Sequence, residues 1–213
     1  MADRGHGGHH HHGRCGDEHD HDDDPERGIQ YSLYLKIDLM NVECLNEERD
    51  GSGKDVFKSW ENRLDREKYV VSDADEELLF NIPFTGNVKL KGVIVIGGED
   101  DSHPSQMKLF KNRPKMTFDD AGGEPDQVFE MHPDNTGQLE YATKITKFSG
   151  VHHLSIYFSK NFGADTTKVY YIGLRGDFTE AQRQEIVIVN YELAPNPADH
   201  KSHLEDHVQQ QIQ

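Results

Sequence analysis

Cysteine is scarce in this 213-residue chain, which holds only Cys15 and Cys44. Two cysteines build no disulfide framework, and no Cys-x-x-Cys occurs, so dithiol redox chemistry is excluded. Long apolar runs are also missing. No stretch reaches the roughly 20 apolar residues that span a bilayer, and no apolar signal region lies near the first methionine. Bases are in the minority, with 23 Lys and Arg against 39 Asp and Glu, giving a formal charge of -16. An acidic surface repels phosphate backbones and anionic lipid, because both are bound through Lys and Arg. The expectation is a reduced, soluble protein of the cytoplasm and nucleus, with no direct nucleic-acid partner and no membrane partner. Hydrophobic residues make up 34% of the chain, and tryptophan occurs once, as Trp60.

The apolar deficit is uneven. Residues 1–27 are rich in Gly, His and Asp, with His9 to His12 consecutive and a charge of -5. Such a segment buries too little surface to offset its ordering entropy and is read as a disordered tail. Its imidazoles will take up transition metals, but without a fixed geometry they form no specific site. Residues 28–193 hold the aromatic and branched side chains and carry -9, which makes them the folded domain. Residues 194–213 are a polar tail of charge -2. One marginal helix fits there, with Asn196 as cap, Pro197 in the first position and Asp199 in the first turn. It would align Leu204 and Val208 as partner contacts and His200, His203 and His207 on one face as a speculative metal site.

What is present between the tails is alternation. Leu78, Phe80, Ile82 and Phe84 alternate with Leu79, Asn81 and Pro83, and Val88, Leu90, Gly92, Ile94 and Ile96 continue the pattern. This reads as two strands joined at Thr85-Gly86-Asn87, with Phe80, Ile82, Leu90 and Ile94 facing the core. Further strands are expected at Val42 to Leu45, Met107 to Phe110, Tyr141 to Phe148, His153 to Ser159, Thr167 to Leu174 and Glu185 to Tyr191. Tyr31 to Ile37 fits a strand or a helical turn, a turn of helix is possible near Lys58 to Arg63, and 111–138 reads mostly as loop. Many short strands with turn-rich links and little helix imply an all-β antiparallel sandwich or jelly roll.

Three stretches resemble a known family: Val42-Glu43-Cys44-Leu45-Asn46-Glu47, the run from Ser72 to Gly92, and Thr166 to Gly176. Together they are similar to the PITH domain, named for the proteasome-interacting thioredoxins in which it follows a thioredoxin domain. The resemblance implies a galactose-binding-like jelly-roll β-sandwich and, from the thioredoxin-linked members, association with the proteasome regulatory particle. It implies no catalytic residues and no cofactor.

The candidate sites are few. Asp73, Asp75, Glu76 and Glu77 form an acidic loop that either meets a cation or basic partner or accepts backbone N–H groups as a turn. Glu99, Asp100, Asp101 and His103 form a second acidic loop without the ligand spacing of an EF-hand. Adjacent His152 and His153 on a strand point to opposite faces and cannot share a metal. Cys44 is expected as a small buried hydrophobe. The reading is a non-catalytic protein-interaction module acting on protein turnover. The alternative is a small-ligand or glycan-binding sandwich, kept open by Trp60, and regulation of gene expression through a partner is a third.

Overall fold

A computed structural model of the chain describes residues 25–180. Of the tail expected at 1–27, residues 1–24 lie outside the described residues, as do the tail at 194–213 and the strand expected from Glu185 to Tyr191, while residues 25–27 open a helix and do not continue the tail. Among the described residues, eight strands form the body: β1 (Glu43–Leu45), β2 (Val70–Val71), β3 (Leu78–Gly97), β4 (Pro104–Lys111), β5 (Gln127–Glu130), β6 (Glu140–Ala142), β7 (Val151–Asn161) and β8 (Lys168–Glu180). Helix, among the described residues, is confined to α1 (Pro25–Gln30), α2 (Phe118–Ala121) and three 3-10 turns. One of those turns, Ser32–Lys36, settles the Tyr31 to Ile37 ambiguity in favour of the helical turn.

All described pairings are antiparallel, and they divide around β3. Residues 78–83 pair with β7 on one side, while 79–81 pair with β1 on the other. Residues 86–97 pair with β8, and 92–94 also pair with β6. The first half of β3 thus belongs to the layer β1-β3-β7-β4-β5 and the second half to the layer β6-β3-β8-β2. The fold is a jelly-roll sandwich whose central strand passes from one sheet to the other.

The hairpin expected at Thr85-Gly86-Asn87 is not there, since β3 runs unbroken through it. A tight hairpin turn needs positive φ, and none of these three residues has it. Gly86 serves a different purpose: a Cβ there would sit 2.7 Å from both the Phe178 ring and the Thr179 carbonyl of β8. Its lack of a side chain allows β8 to approach as β3 changes layer.

The alternation survives from Leu78 through Leu90, and Leu78, Phe80, Ile82, Phe84, Val88 and Leu90 all enter the main core. It then slips. Opposite β8 the register jumps between Leu90 and Gly92, which leaves Lys91 as an extra residue. A bulge of one residue exchanges the faces. Val93 and Val95 therefore face the main core, and Ile94 and Ile96 lie on the outer side with Trp60, Tyr170 and Tyr171. Ile94 does not face between the sheets as the sequence pattern suggests.

Two other strands differ from expectation. The strand expected over Tyr141 to Phe148 shortens to β6, and Phe148 is buried from the loop that follows. Within 111–138 the chain forms α2, held by a capping box between Thr117 and Asp120, and the edge strand β5.

Candidate functional site

The acidic loop before β3 is built around Asn46, which ends β1 with φ of 65°. The Asn46 amide donates to the Asp75 carboxylate at 2.8 Å and to the Glu77 carbonyl at 2.7 Å. Its side-chain oxygen accepts the Ala74 N–H at 3.1 Å, and its backbone carbonyl accepts the Asp73 N–H at 3.0 Å. Asp75 also takes the Glu77 N–H at 3.0 Å. The far side is tied by Thr167, whose hydroxyl donates to the Glu76 carbonyl at 2.6 Å. Tyr157 donates to the Glu77 carboxylate, and its phenol is pushed up, by burial first and then by that hydrogen bond. Asp75 and Glu77 thus have structural duties, and Asp73 and Asp75 remain exposed on a fixed loop beside the end of β1. Asn46, Tyr157 and Thr167 do not stand out in the sequence; only an Asn immediately after a strand hints at the left-handed turn.

The second acidic loop splits into two parts. Glu99, Asp100 and Asp101 are exposed and, with Pro133 and Phe162, line a depression of about 390 Å³. His103 is fully buried. Its Nδ1 lies 2.7 Å from the Pro104 carbonyl, and its Nε2 accepts the Asp134 N–H at 3.1 Å. This network assigns a neutral imidazole protonated at Nδ1. Gly97 makes room for the ring, since a Cβ there would fall 2.4 Å from it. The Asp134 carboxylate in turn accepts N–H groups of Thr136, Gly137 and Leu139 at 2.8–2.9 Å. His103 and Asp134 together shape the 131–139 loop.

Burial lowers the affinity of His103 for a proton, and that of the half-buried His153 likewise. Both groups have a depressed folded pKa, so they stabilise the fold fully above the unfolded value of about 6.5 and lose that contribution as pH falls toward the folded value. Burial works to raise the Glu140 carboxyl as well, but hydrogen bonds from Arg175 and Tyr31 outweigh it and hold the group below its ordinary range. Its contribution is present above about pH 4.3 and lost below. Urea midpoints should therefore be level between about pH 7 and 8, decline below about pH 6.5, and fall again in the carboxylate range. The first decline should shrink in His103→Gln. A midpoint constant from pH 7 to 5 would contradict the assignment of a buried neutral imidazole.

Trp60 is 3% exposed. Tyr31 stacks on it at 5.1 Å, the Arg63 guanidinium lies 4.1 Å from the ring centre, and Tyr171 meets it edge-on at 6.4 Å. The ring is a structural centre and offers no platform for a sugar. Below it Arg175 grips Glu140 through Nε at 2.9 and 3.1 Å, and Tyr31 donates to the same carboxylate. This cluster fastens the segment leading out of α1 onto β6 and β8.

Cys44 sits in β1, half-buried, directly opposite Phe80. Burial and then the Glu47 carboxylate push its thiol up, so it stays protonated at neutral pH. His152 is exposed and His153 half-buried on successive positions of β7, on opposite faces. The candidate residues His200, His203, Leu204, His207 and Val208 lie outside the described residues. Among the described residues no three His, Cys, Asp or Glu converge on a possible metal position, and no helix is long and apolar enough to cross a membrane.

Alongside β1 runs a groove of about 560 Å³. One wall is Met40 to Leu45, and the other includes Glu47, Asp50 and Lys54. Glu47 is taken up internally, accepting the N–H groups of Gly51 and Gly53 at 2.6 Å each. Glu43 and Asp50 are exposed on the rim, and Met40 is 85% exposed.

Comparison with known proteins places these observations. The family model described as the PITH domain matches residues 23–195. The human PITH domain-containing protein 1 is 63% identical over 93% of this chain and 94% of its own length. PITH domain-containing protein CG6153 of Drosophila melanogaster is 61% identical over 98% of this chain and 99% of its own. Among solved structures, the CBM32-1 and CBM32-2 domains of Clostridium perfringens ZmpB in complex with GalNAc align with a TM-score of 0.50. That alignment is 8% identical and covers 72% of this chain and 40% of that one. At such identity the likeness speaks for the jelly-roll fold alone.

Proposed function

Because this chain belongs to the PITH domain family, we propose that it is a non-catalytic protein-binding module that associates with the proteasome regulatory particle. Acting there, in the cytoplasm and nucleus, it would influence protein turnover and, through that, downstream regulation. The observation that carries the reading is the family match, which runs through the whole described sandwich. The structure is compatible with a scaffold that presents surfaces. Loop carboxylates are held by backbone amides, as at Asp75, Glu47 and Asp134, and the Cys44 thiol is protonated. A charge of -16 suits a partner surface with basic character.

The C-terminal segment is the second element of the reading. A marginal helix that orders on docking, with Leu204 and Val208 as apolar contacts and His200, His203 and His207 as polar or metal-mediated ones, would add to binding at an entropic cost. Affinity capture from lysate, with quantitative mass spectrometry, compares the full chain with a form ending at Tyr191 at equal folded concentration. The full chain should recover regulatory-particle subunits and the shortened one should recover fewer. Equal recovery would remove the tail from the account, and recovery by neither would remove the partner.

A further inference from the structure

We propose that the free edge of β1 and the groove beside it dock an extended, basic segment of a partner protein by strand addition. The inference rests on the protein-binding reading above and names the surface that performs it.

Three independent features of the β1 edge point to such a ligand. First, among the described residues β1 pairs with β3 alone, and its opposite edge offers backbone groups to an incoming strand. An open edge is the template that strand-adding peptides use, with main-chain bonds giving affinity and side-chain pockets giving specificity. Second, the groove runs along the same residues, 40–45, and its volume of about 560 Å³ falls in the range that holds small ligands and short peptide stretches. Met40, 85% exposed at its mouth, is a flexible apolar contact of the kind found on peptide-binding surfaces. Proteins protect an edge they do not use with charge and short length, and β1 is short; an exposed methionine beside it works against protection.

Third, the surrounding charge is one-sided. Glu43 and Asp50 are exposed on the groove, and Asp73 and Asp75 are exposed on the loop that Asn46 fixes to the end of β1. Of the nearby bases, Arg49 pairs with Asp55 at 3.2 Å, and Lys54, which donates to the Met40 carbonyl at 3.3 Å, is the one cation among the described groove residues. A strand with basic side chains would find Glu43 and Asp50 beside the groove, with Asp73 and Asp75 near the end of β1. A second copy of this chain would bring the same carboxylates against each other, which disfavours self-pairing.

The probe is a fluorescein-labelled peptide, acetyl-Lys-Val-Lys-Ile-Lys-Val-amide, titrated into the full chain by fluorescence anisotropy. Binding should be saturable and weaken with salt. It should become roughly tenfold weaker in Glu43→Lys and in Met40→Lys, since each puts a positive charge against the cationic peptide. Both positions are exposed, and unchanged melting temperatures establish that the variants are folded. The same peptide N-methylated at alternate residues keeps its charge, loses ladder donors and should not bind. Equal binding of the N-methylated peptide, equal binding of a Glu-for-Lys version, indifference to both variants, or concentration-dependent pairing of two chains through β1 would each overturn the inference. Capture of the regulatory particle by Met40→Lys is scored separately. Undiminished capture with no peptide binding sinks the groove and leaves the module standing, whereas peptide binding without any capture does the reverse.

Discussion

Phe80→Ala should lower the unfolding free energy by about 3–5 kcal/mol, the usual cost of emptying a fully buried aromatic site. Phe80 has no exposed surface and makes edge-on contacts with Phe57 at 6.1 Å and Phe158 at 5.9 Å. Those two rings come from different parts of the chain, so neither can follow the other into the space vacated. The melting temperature should drop by roughly 10 °C or more. Lys89→Ala, at an exposed position of the same strand, should stay within about 0.5 kcal/mol of the parent. Loss of the contrast would mean that the faces of β3 are assigned the wrong way round.

The neighbouring residue should fail by a different mechanism. Asn81 is buried on the opposite face of β3, where its amide donates to the Met116 carbonyl at 2.9 Å and its oxygen accepts the Met116 N–H at 3.2 Å. The Ser155 hydroxyl donates to the same oxygen at 2.9 Å. Asn81 thus stands in for a strand partner and pins the loop before α2 to the sheet. Asn81→Leu keeps the volume but strands both backbone groups of Met116, for a cost of about 2–4 kcal/mol. The discriminating signature is local: hydrogen exchange at Met116 and across α2 should accelerate more than exchange in the core of β7. Uniform acceleration throughout would show that the loop and the sheet unfold only together.

Much of the fold is legible in the sequence because alternation reports burial directly. From Leu78 to Leu90 every second residue enters the core, and that reading needs nothing beyond a period of two. It breaks at Lys91 because a bulge adds a residue without leaving a compositional mark, and Ile94 and Ile96 change sides. Thr85-Gly86-Asn87 looked like a turn because Gly and Asn favour turns. Gly86 is present instead for the approach of Phe178 and Thr179, a constraint set by a strand some ninety positions away and invisible locally.

The candidate site was less legible for a related reason. An acidic run such as Asp73 to Glu77 reads alike whether its carboxylates face solvent or hold a turn. What decides is Asn46, together with Tyr157 and Thr167, all remote in sequence. Trp60 as the single tryptophan suggested a sugar platform; Tyr31, Arg63 and Tyr171 occupy its ring, and none of those contacts follows from spacing. The groove along β1 depends on which edge of a three-residue strand is left open, and pairing is a property of the assembled sheet.

The central claim is association with the proteasome regulatory particle, and purified components test it most directly. Purified full-length chain titrated into purified regulatory particle, followed by mass photometry or native electrophoresis, should give saturable binding that weakens as salt is raised, given the charge of -16. Absence of binding at any concentration that saturates a thioredoxin-linked PITH protein in the same assay would contradict the account.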